Sequence, residues 1–416
     1  MTPAAVPARP TGPTGERLVL RGRLVLPDAV VEDGVVVVEG DRLAWVGPVA
    51  AFADAQDDAL PAPSSDTILP GLVDLHCHGG GGASFPDAAD AAGARAAVEE
   101  HARNGTTSLV ASLVTAAPET LLARTAVLAE LADAGELAGI HLEGPFLSAA
   151  RCGAQDPALM QAGSAALVRD VAEVARGHLA TMTVAPEVEG VLGPDGAVAA
   201  LAAAGAVPSI GHTDATAELV DEALAAARAA LGASGARSGR PTVTHLFNGM
   251  RPLHHRDPGP VAACLAAAAE GAAVLELVAD DVHLAPATVR SVFRIADRRS
   301  VVLVTDAMAA AGMPDGEYRL GSMSVRVAGG VARLTEGGAI AGGTARLVDV
   351  VRATVAAGVP LVDAVRAAAT TPAEVLGRTD LGALEAGRRA DVLVTTADLR
   401  PRAVLRAGRW LVPPPA

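Results

Sequence analysis

Through the middle of this chain short apolar runs recur, and nearly every one stops at a histidine, a glutamate or an aspartate. The runs alternate with Ala-rich amphipathic stretches in a strand, loop, helix order, which favours an α/β fold around a parallel sheet. The candidate strands are 71–75, 108–112, 139–142, 182–185, 208–211, 242–244, 275–279 and 301–305. Eight such units predict a closed (β/α)8 barrel of the TIM type. An open doubly wound sheet competes with it. That arrangement normally carries a Gly-rich phosphate loop after its first strand, whereas here Gly79 to Gly82 follow histidines.

The two ends of the chain read differently. Leu18-Val19-Leu20-Arg21-Gly22-Arg23-Leu24-Val25-Leu26 and the Val35 to Gly47 stretch look like short strands joined by Gly and Asp turns. Segments 390–394 and 403–410 repeat that pattern near the C-terminus. Neither set is long enough to stand alone, so the two termini are expected to pair into one discontinuous β-sandwich domain. The expected organisation is a disordered tail at 1–15, a small β domain from 16–68 and 377–416, and the barrel at 69–376.

Composition narrows the chemistry. Half of the 416 residues are hydrophobic but only 2% are aromatic, so the core is aliphatic and no ring platform for stacking bases is visible. A formal charge of −14 disfavours nucleic acid and anionic membrane as partners. An anionic substrate would have to be captured by local arginines. The N-terminal segment lacks the apolar core of a secretory signal, and Ala-rich segments are broken by charges, so a cytoplasmic protein without a membrane span is expected. Cys77, Cys152 and Cys264 form no CxxC pair, in keeping with a reducing compartment. All 33 basic side chains are arginines. The lack of lysine excludes a Schiff base, a P-loop lysine and a carbamylated lysine bridging two metals.

Barrel enzymes place their catalytic groups at the carboxyl ends of the strands, where this chain places its polar residues. The first run ends Asp74-Leu75-His76-Cys77-His78, and alternate spacing sets both imidazoles on one face, able to grip one metal. The third ends His141-Leu142-Glu143, where a carboxylate could ligate or bridge metals; the ordinary alternative is a buried glutamate paired to an arginine. His141 is expected to point away and be structural. His212 and His245 each follow an apolar run and suit neutral imidazole ligands, against the commoner role of a hydrogen-bonded rim residue. Asp306 follows Val301-Val302-Leu303-Val304-Thr305 and is the candidate general base and acid, with desolvation expected to raise its pKa. A helix N-cap is its ordinary alternative.

These residues sit in longer strings: Leu69-Pro70-Gly71-Leu72-Val73-Asp74, His141-Leu142-Glu143-Gly144-Pro145-Phe146, Gly211-His212-Thr213, Thr244-His245-Leu246-Phe247-Asn248-Gly249-Met250, Ala279-Asp280-Asp281-Val282-His283 and Val304-Thr305-Asp306-Ala307. Through them almost the whole chain resembles the amidohydrolase superfamily and, within it, the branch that deacetylates sugar phosphates. The resemblance implies metal-dependent hydrolysis of the acetamide of N-acetylglucosamine 6-phosphate. Glu143, His212 and His245 would hold the principal divalent cation, and His76 with His78 a second. Zinc would be the first choice, with iron, manganese or cobalt open. The resemblance also implies that Asn248, the Gly249 backbone and His283 contact the sugar phosphate. Arg256 would reach it from the neighbouring subunit of a homodimer. In many relatives the position of Gln155 is a histidine that polarises the acetyl carbonyl. Here a second cation is expected to take that part, leaving Gln155 a hydrogen-bonding role. Competing readings are the galactosamine epimer, an N-acyl-D-amino acid, or a noncatalytic barrel scaffold.

Overall fold

The computed structural model describes residues 17–52 and 60–415, so the tail expected at 1–15 lies outside the described residues. Each of the eight candidate runs forms a barrel strand: β1 (Leu72–Cys77), β2 (Thr106–Leu113), β3 (Gly139–Glu143), β4 (Leu179–Val184), β5 (Val207–Ile210), β6 (Thr242–Val243), β7 (Val274–Leu277) and β8 (Val301–Leu303). Every neighbouring pair is parallel and the spatial order follows the chain order. The ring closes between β1 and the segment after β8 through a parallel Cys77–Ala307 bridge. Asp306 N–H donates to His76 O at 2.9 Å and His78 N–H donates to Ala307 O at 2.7 Å. Closure removes the free edges an open sheet would leave, and places the seam at the strands' carboxyl ends.

Helices between the strands begin where the sequence supplies caps. Asp90, Ser164 and Thr216 each accept a backbone N–H from the first turn, and Pro118 and Pro286 open their helices. Ala217–Ser234 buries Val220, Ala223, Leu224, Ala227 and Leu231, one stripe at helical spacing, and stops at Gly235 with φ 66°. Burying each of Val220, Leu224 and Leu231 contributes ~1.5–3 kcal/mol relative to exposure, and the two alanines less. Among the described residues no helix is long and apolar enough to cross a membrane.

Both termini enter one seven-stranded sheet. Its central strand, Thr67–Pro70, pairs parallel with Arg17–Val25 on one side and antiparallel with Val392–Thr395 on the other. The chain then passes through Gly71 directly into β1. A Cβ at Gly71 would lie 2.7 Å from Asp391 Cβ and closer still to the Thr107 hydroxyl, so the junction admits glycine alone.

A third sheet was not anticipated. Gly316–Leu320, Met323–Ala328 and Val331–Leu334 form an antiparallel meander inserted after β8. Leu320, Val325, Val327 and Leu334 pack it against Val114, Met308 and Ala310 at the barrel rim.

Candidate metal and active site

β1 presents His76 and His78 from one face, with their Nε2 atoms 3.0 Å apart. Glu143 ends β3 and reaches across. Its Oε1 lies 2.9 Å from His212 Nε2 and 2.8 Å from His245 Nε2, while Oε2 lies 3.1 Å from His78 Nε2. Asp306 Oδ1 stands 3.4 Å from His76 Nε2 and 3.3 Å from His78 Nε2. Two groups of donor atoms therefore form, each with all members within 4.8 Å: His76, His78, Glu143 and Asp306, and Glu143, His212 and His245. Glu143 belongs to both.

The donors arrive by two routes. His76 and His78 are placed by the strand itself. His212, His245 and Asp306 sit just beyond β5, β6 and β8 with φ of 47°, 25° and 46°, a left-handed backbone that non-glycine residues rarely adopt. Such residues are held against a cost of ~1–3 kcal/mol each and concentrate at functional sites. Glycines make room for them. A Cβ on Gly249, itself at φ 59°, would lie 2.7 Å from His212 Nδ1.

Charge and burial fit a cation. Burial pushes the Glu143 carboxyl up, but the imidazoles of His76, His212 and His245 outweigh it and hold it well below the usual carboxylate range. Burial alone would lower His76, His78 and His212, yet the facing carboxylates raise all three. The negative potential that draws protons onto these rings is equally available to a divalent ion, and nitrogen with carboxylate oxygen is a donor set for zinc and its neighbours. His212 Nδ1 is fixed by Arg151 O at 2.7 Å, which turns Nε2 toward Glu143.

Two expectations and two alternatives change on contact with this geometry. The Asp306 pKa was expected to rise. Burial does push it up, but the charge of His76 and the hydrogen bond to His78 more than offset that, and it falls below the ordinary value. The N-cap alternative for Asp306 also falls, since the residues after it are not helical. His141 does not point away from Glu143. Two positions apart on a strand, the two share a face, and His141 lies beside His76 with ring centroids 4.4 Å apart. Its ring is spanned by Ser112 Oγ and Thr183 Oγ1, both at 2.9 Å. Glu143 makes its hydrogen bonds to His212, His245 and Gln155 rather than to an arginine.

Gln155 is engaged at both ends. Its Oε1 accepts the Thr115 N–H at 2.7 Å, which orients the amide so that Nε2 donates to Glu143 Oε2 at 2.6 Å. Asn248 Nδ2 donates to His245 O at 3.2 Å. His283 is held through Nδ1 by Asp280 Oδ2 at 2.9 Å. Burial lowers its pKa, but the Asp280 hydrogen bond and charge raise it more, for a net rise. A cavity of about 220 Å³ opens over the cluster and is lined by His78, Glu143, Gln155, His212, His245, Asn248, Gly249, His283 and Asp306. Leu320 of the unanticipated meander, with Ala339, Ile340 and Gly342 just after it, also lines the cavity. Arg256 stands on an exposed loop and does not line the cavity of its own chain.

One buried carboxylate went unnoticed in the sequence. Glu276, in β7 and 1% exposed, accepts from His76 Nδ1 at 3.0 Å. The available signal was a lone charge inside Val274-Leu275-Glu276-Leu277-Val278.

A closed (β/α)8 barrel whose carboxyl-end histidines and carboxylates converge under an open cavity has a candidate metal centre where barrel enzymes carry their active sites. The chain belongs to the amidohydrolase family, whose model matches residues 67–411. N-acetylglucosamine-6-phosphate deacetylase of Vibrio furnissii is 34% identical over 374 residues, 88% of each chain. N-acetylgalactosamine-6-phosphate deacetylase of Escherichia coli O157:H7 is 33% identical over 388 residues, covering 92% of this chain and 96% of that one. Among solved structures, an aspartate-to-alanine mutant of the Mycobacterium smegmatis N-acetyl-D-glucosamine-6-phosphate deacetylase, in complex with N-acetyl-D-glucosamine 6-phosphate, is 39% identical. It superposes with a TM-score of 0.86, covering 96% of this chain and 100% of that chain.

Proposed function

We propose that this protein hydrolyses the acetamide of N-acetylglucosamine 6-phosphate to glucosamine 6-phosphate and acetate. The observation that carries this reading is the convergence of Asp306, Glu143 and the histidines beneath one cavity, in a chain similar along most of its length to deacetylases of that substrate. Glu143, His212 and His245 would hold the principal divalent cation and His76 with His78 a second, zinc being the first choice and iron, manganese or cobalt suiting the same donors. A cation bound there supplies a Lewis acid that acidifies water and polarises the acetyl carbonyl.

The chain's own groups do the rest. Asp306, kept ionised by His76 and His78, accepts the proton of the attacking water at Oδ1 and returns it to the departing nitrogen. His283, its Nδ1–H donated to Asp280 and its pKa raised by that carboxylate, donates to the substrate from Nε2 in its protonated form. Gln155 holds Glu143 in place through its Nε2–H, and His283 stabilises the acetyl oxygen, beside the cation that the histidines would hold. Asn248 and the Gly249 backbone face the sugar phosphate, and Arg256 of a second subunit in a homodimer closes on it with a planar fork matched to phosphate oxygens. Cytoplasmic residence accords with three free cysteines.

One relative of comparable similarity acts on the galacto epimer, which makes N-acetylgalactosamine 6-phosphate the second reading. The test is acetate release from both phosphorylated sugars and from unphosphorylated N-acetylglucosamine after metal reconstitution. Turnover of the gluco substrate, dependent on its phosphate, is expected. A clear preference for the galacto substrate supports the second reading, and no turnover of any of the three with any supplied metal refutes both.

A further inference from the structure

Each histidine of the cluster offers Nε2 to the centre, so what holds its Nδ1 decides where its proton sits. His212 Nδ1 has Arg151 O. His78 Nδ1 and His245 Nδ1 are buried without a hydrogen-bond partner among the described residues. His76 is anchored by a full carboxylate, Glu276 Oε2 at 3.0 Å, in a place where Glu276 is 1% exposed and His76 is 0%. A buried carboxylate beside an imidazole fixes the Nδ1–H tautomer and leaves the Nε2 lone pair pointing at His78, Glu143 and Asp306. The same Oε2 also receives the backbone N–H of His245 at 3.4 Å, on the turn that delivers the other donor group.

We propose that Glu276 is a positioning residue for a second cation: it locks His76 in the tautomer that can ligate, and through the His245 backbone it links the two donor groups. This rests on reading the cluster as a two-cation centre. Charge supports it as well as geometry. Two divalent ions carry four positive charges against two negative ones from Glu143 and Asp306, and Glu276 supplies a third where water cannot. A buried glutamate serving only to satisfy a core histidine would do so equally for any tautomer-indifferent ring. Here the ring it holds is one whose other nitrogen is shared among three potential ligand groups.

The experiment is a zinc titration of the metal-stripped full-length protein against a competing chromophoric chelator, with Glu276→Gln and Glu276→Asp alongside. Wild type is expected to take two ions per chain. In Glu276→Gln the weaker site should lose ~10–100-fold in affinity while the stronger site changes far less, and Glu276→Asp should recover part of the loss. Equal weakening of both sites, or none, overturns the proposal. A wild type that takes one ion or none refutes the two-cation reading itself, independently of Glu276. Should Glu276→Gln fail to fold, the histidine 15N spectrum of the zinc-loaded wild type still decides: a protonated Nδ1 with a zinc-bound Nε2 at His76 supports the proposal, and a His76 bound through Nδ1 or left unbound overturns it.

Discussion

The first barrel strand and the turns after the fifth, sixth and eighth contribute to one centre by different physics. On β1 the donors His76 and His78 come from ordinary extended backbone, and the two-residue repeat of a strand is enough to put both rings on one side. His212, His245 and Asp306 leave their strands through left-handed residues, each held there by its surroundings at an energetic cost. Strand-borne donors are cheap to place and can be read from spacing. Turn-borne donors are aimed individually, and their aim depends on neighbours such as Gly249 and the carbonyl of Arg151.

The largest expected effect follows from a turn-borne group. Asp306→Asn should lower kcat by ~10²–10⁴-fold with the tightly held cation retained, as read by steady-state kinetics beside elemental analysis. Loss of that cation in the variant would make Asp306 a structural ligand instead of a proton carrier. Next, His212→Gln and His76→Gln compare the two routes directly. The first should strip the tightly held ion, by ~3 kcal/mol or more for a lost ligand contact in a buried charged centre, and the second should spare it. Identical metal content in the two variants would erase the distinction.

A smaller effect tests the aiming. Gly249→Ala adds a Cβ against His212 and strains a left-handed residue, so it should cost ~1–3 kcal/mol in chemical denaturation and weaken metal retention, whereas Gly135→Ala, also left-handed but facing open space, should leave metal retention unchanged. The smallest effect is on pH dependence. Burial raises the Asp280 pKa but the His283 hydrogen bond and charge lower it more, while His283 is raised. The stability from this pair is therefore complete between the ordinary carboxylate and histidine values, about 3.9 and 6.5. It is lost as pH falls through the lowered Asp280 value, and again as pH rises through the raised His283 value. The Tm difference between wild type and Asp280→Asn should be widest in that window and narrow on both sides; a difference independent of pH would show that the pair does not titrate this way.

The barrel was legible because a fully buried parallel strand must be a short apolar run, and each run met a polar residue where it left the core. Glu143, His212, His245 and Asp306 were found by that change of polarity. The meander at 316–334 was not, because half-exposed strands such as Met323–Ala328 mix Ser and Arg with Val, a weaker pattern than the barrel runs show. Its wall residue Leu320, and Ile340 just after it, carry no chemical signature at all. Glu276 escaped because one charge in an apolar strand has no partner until the barrel brings β7 to β1's histidine. Backbone angles of the turn-borne donors are likewise a property of the closed ring, not of the local string.

The seam between β1 and β8 also sets an order of events during synthesis. Thr305 hydroxyl donates to His76 O across 229 positions of sequence. At roughly 5–20 residues per second, about 10–45 s separate the emergence of the first donors from that of Asp306. Through that interval the growing polypeptide displays the histidine pair of β1 beside an unpaired strand edge, with the seam that closes the ring still to come. The donor group that needs Asp306 is therefore the last part of the site to be assembled, after Glu143, His212 and His245 have all emerged.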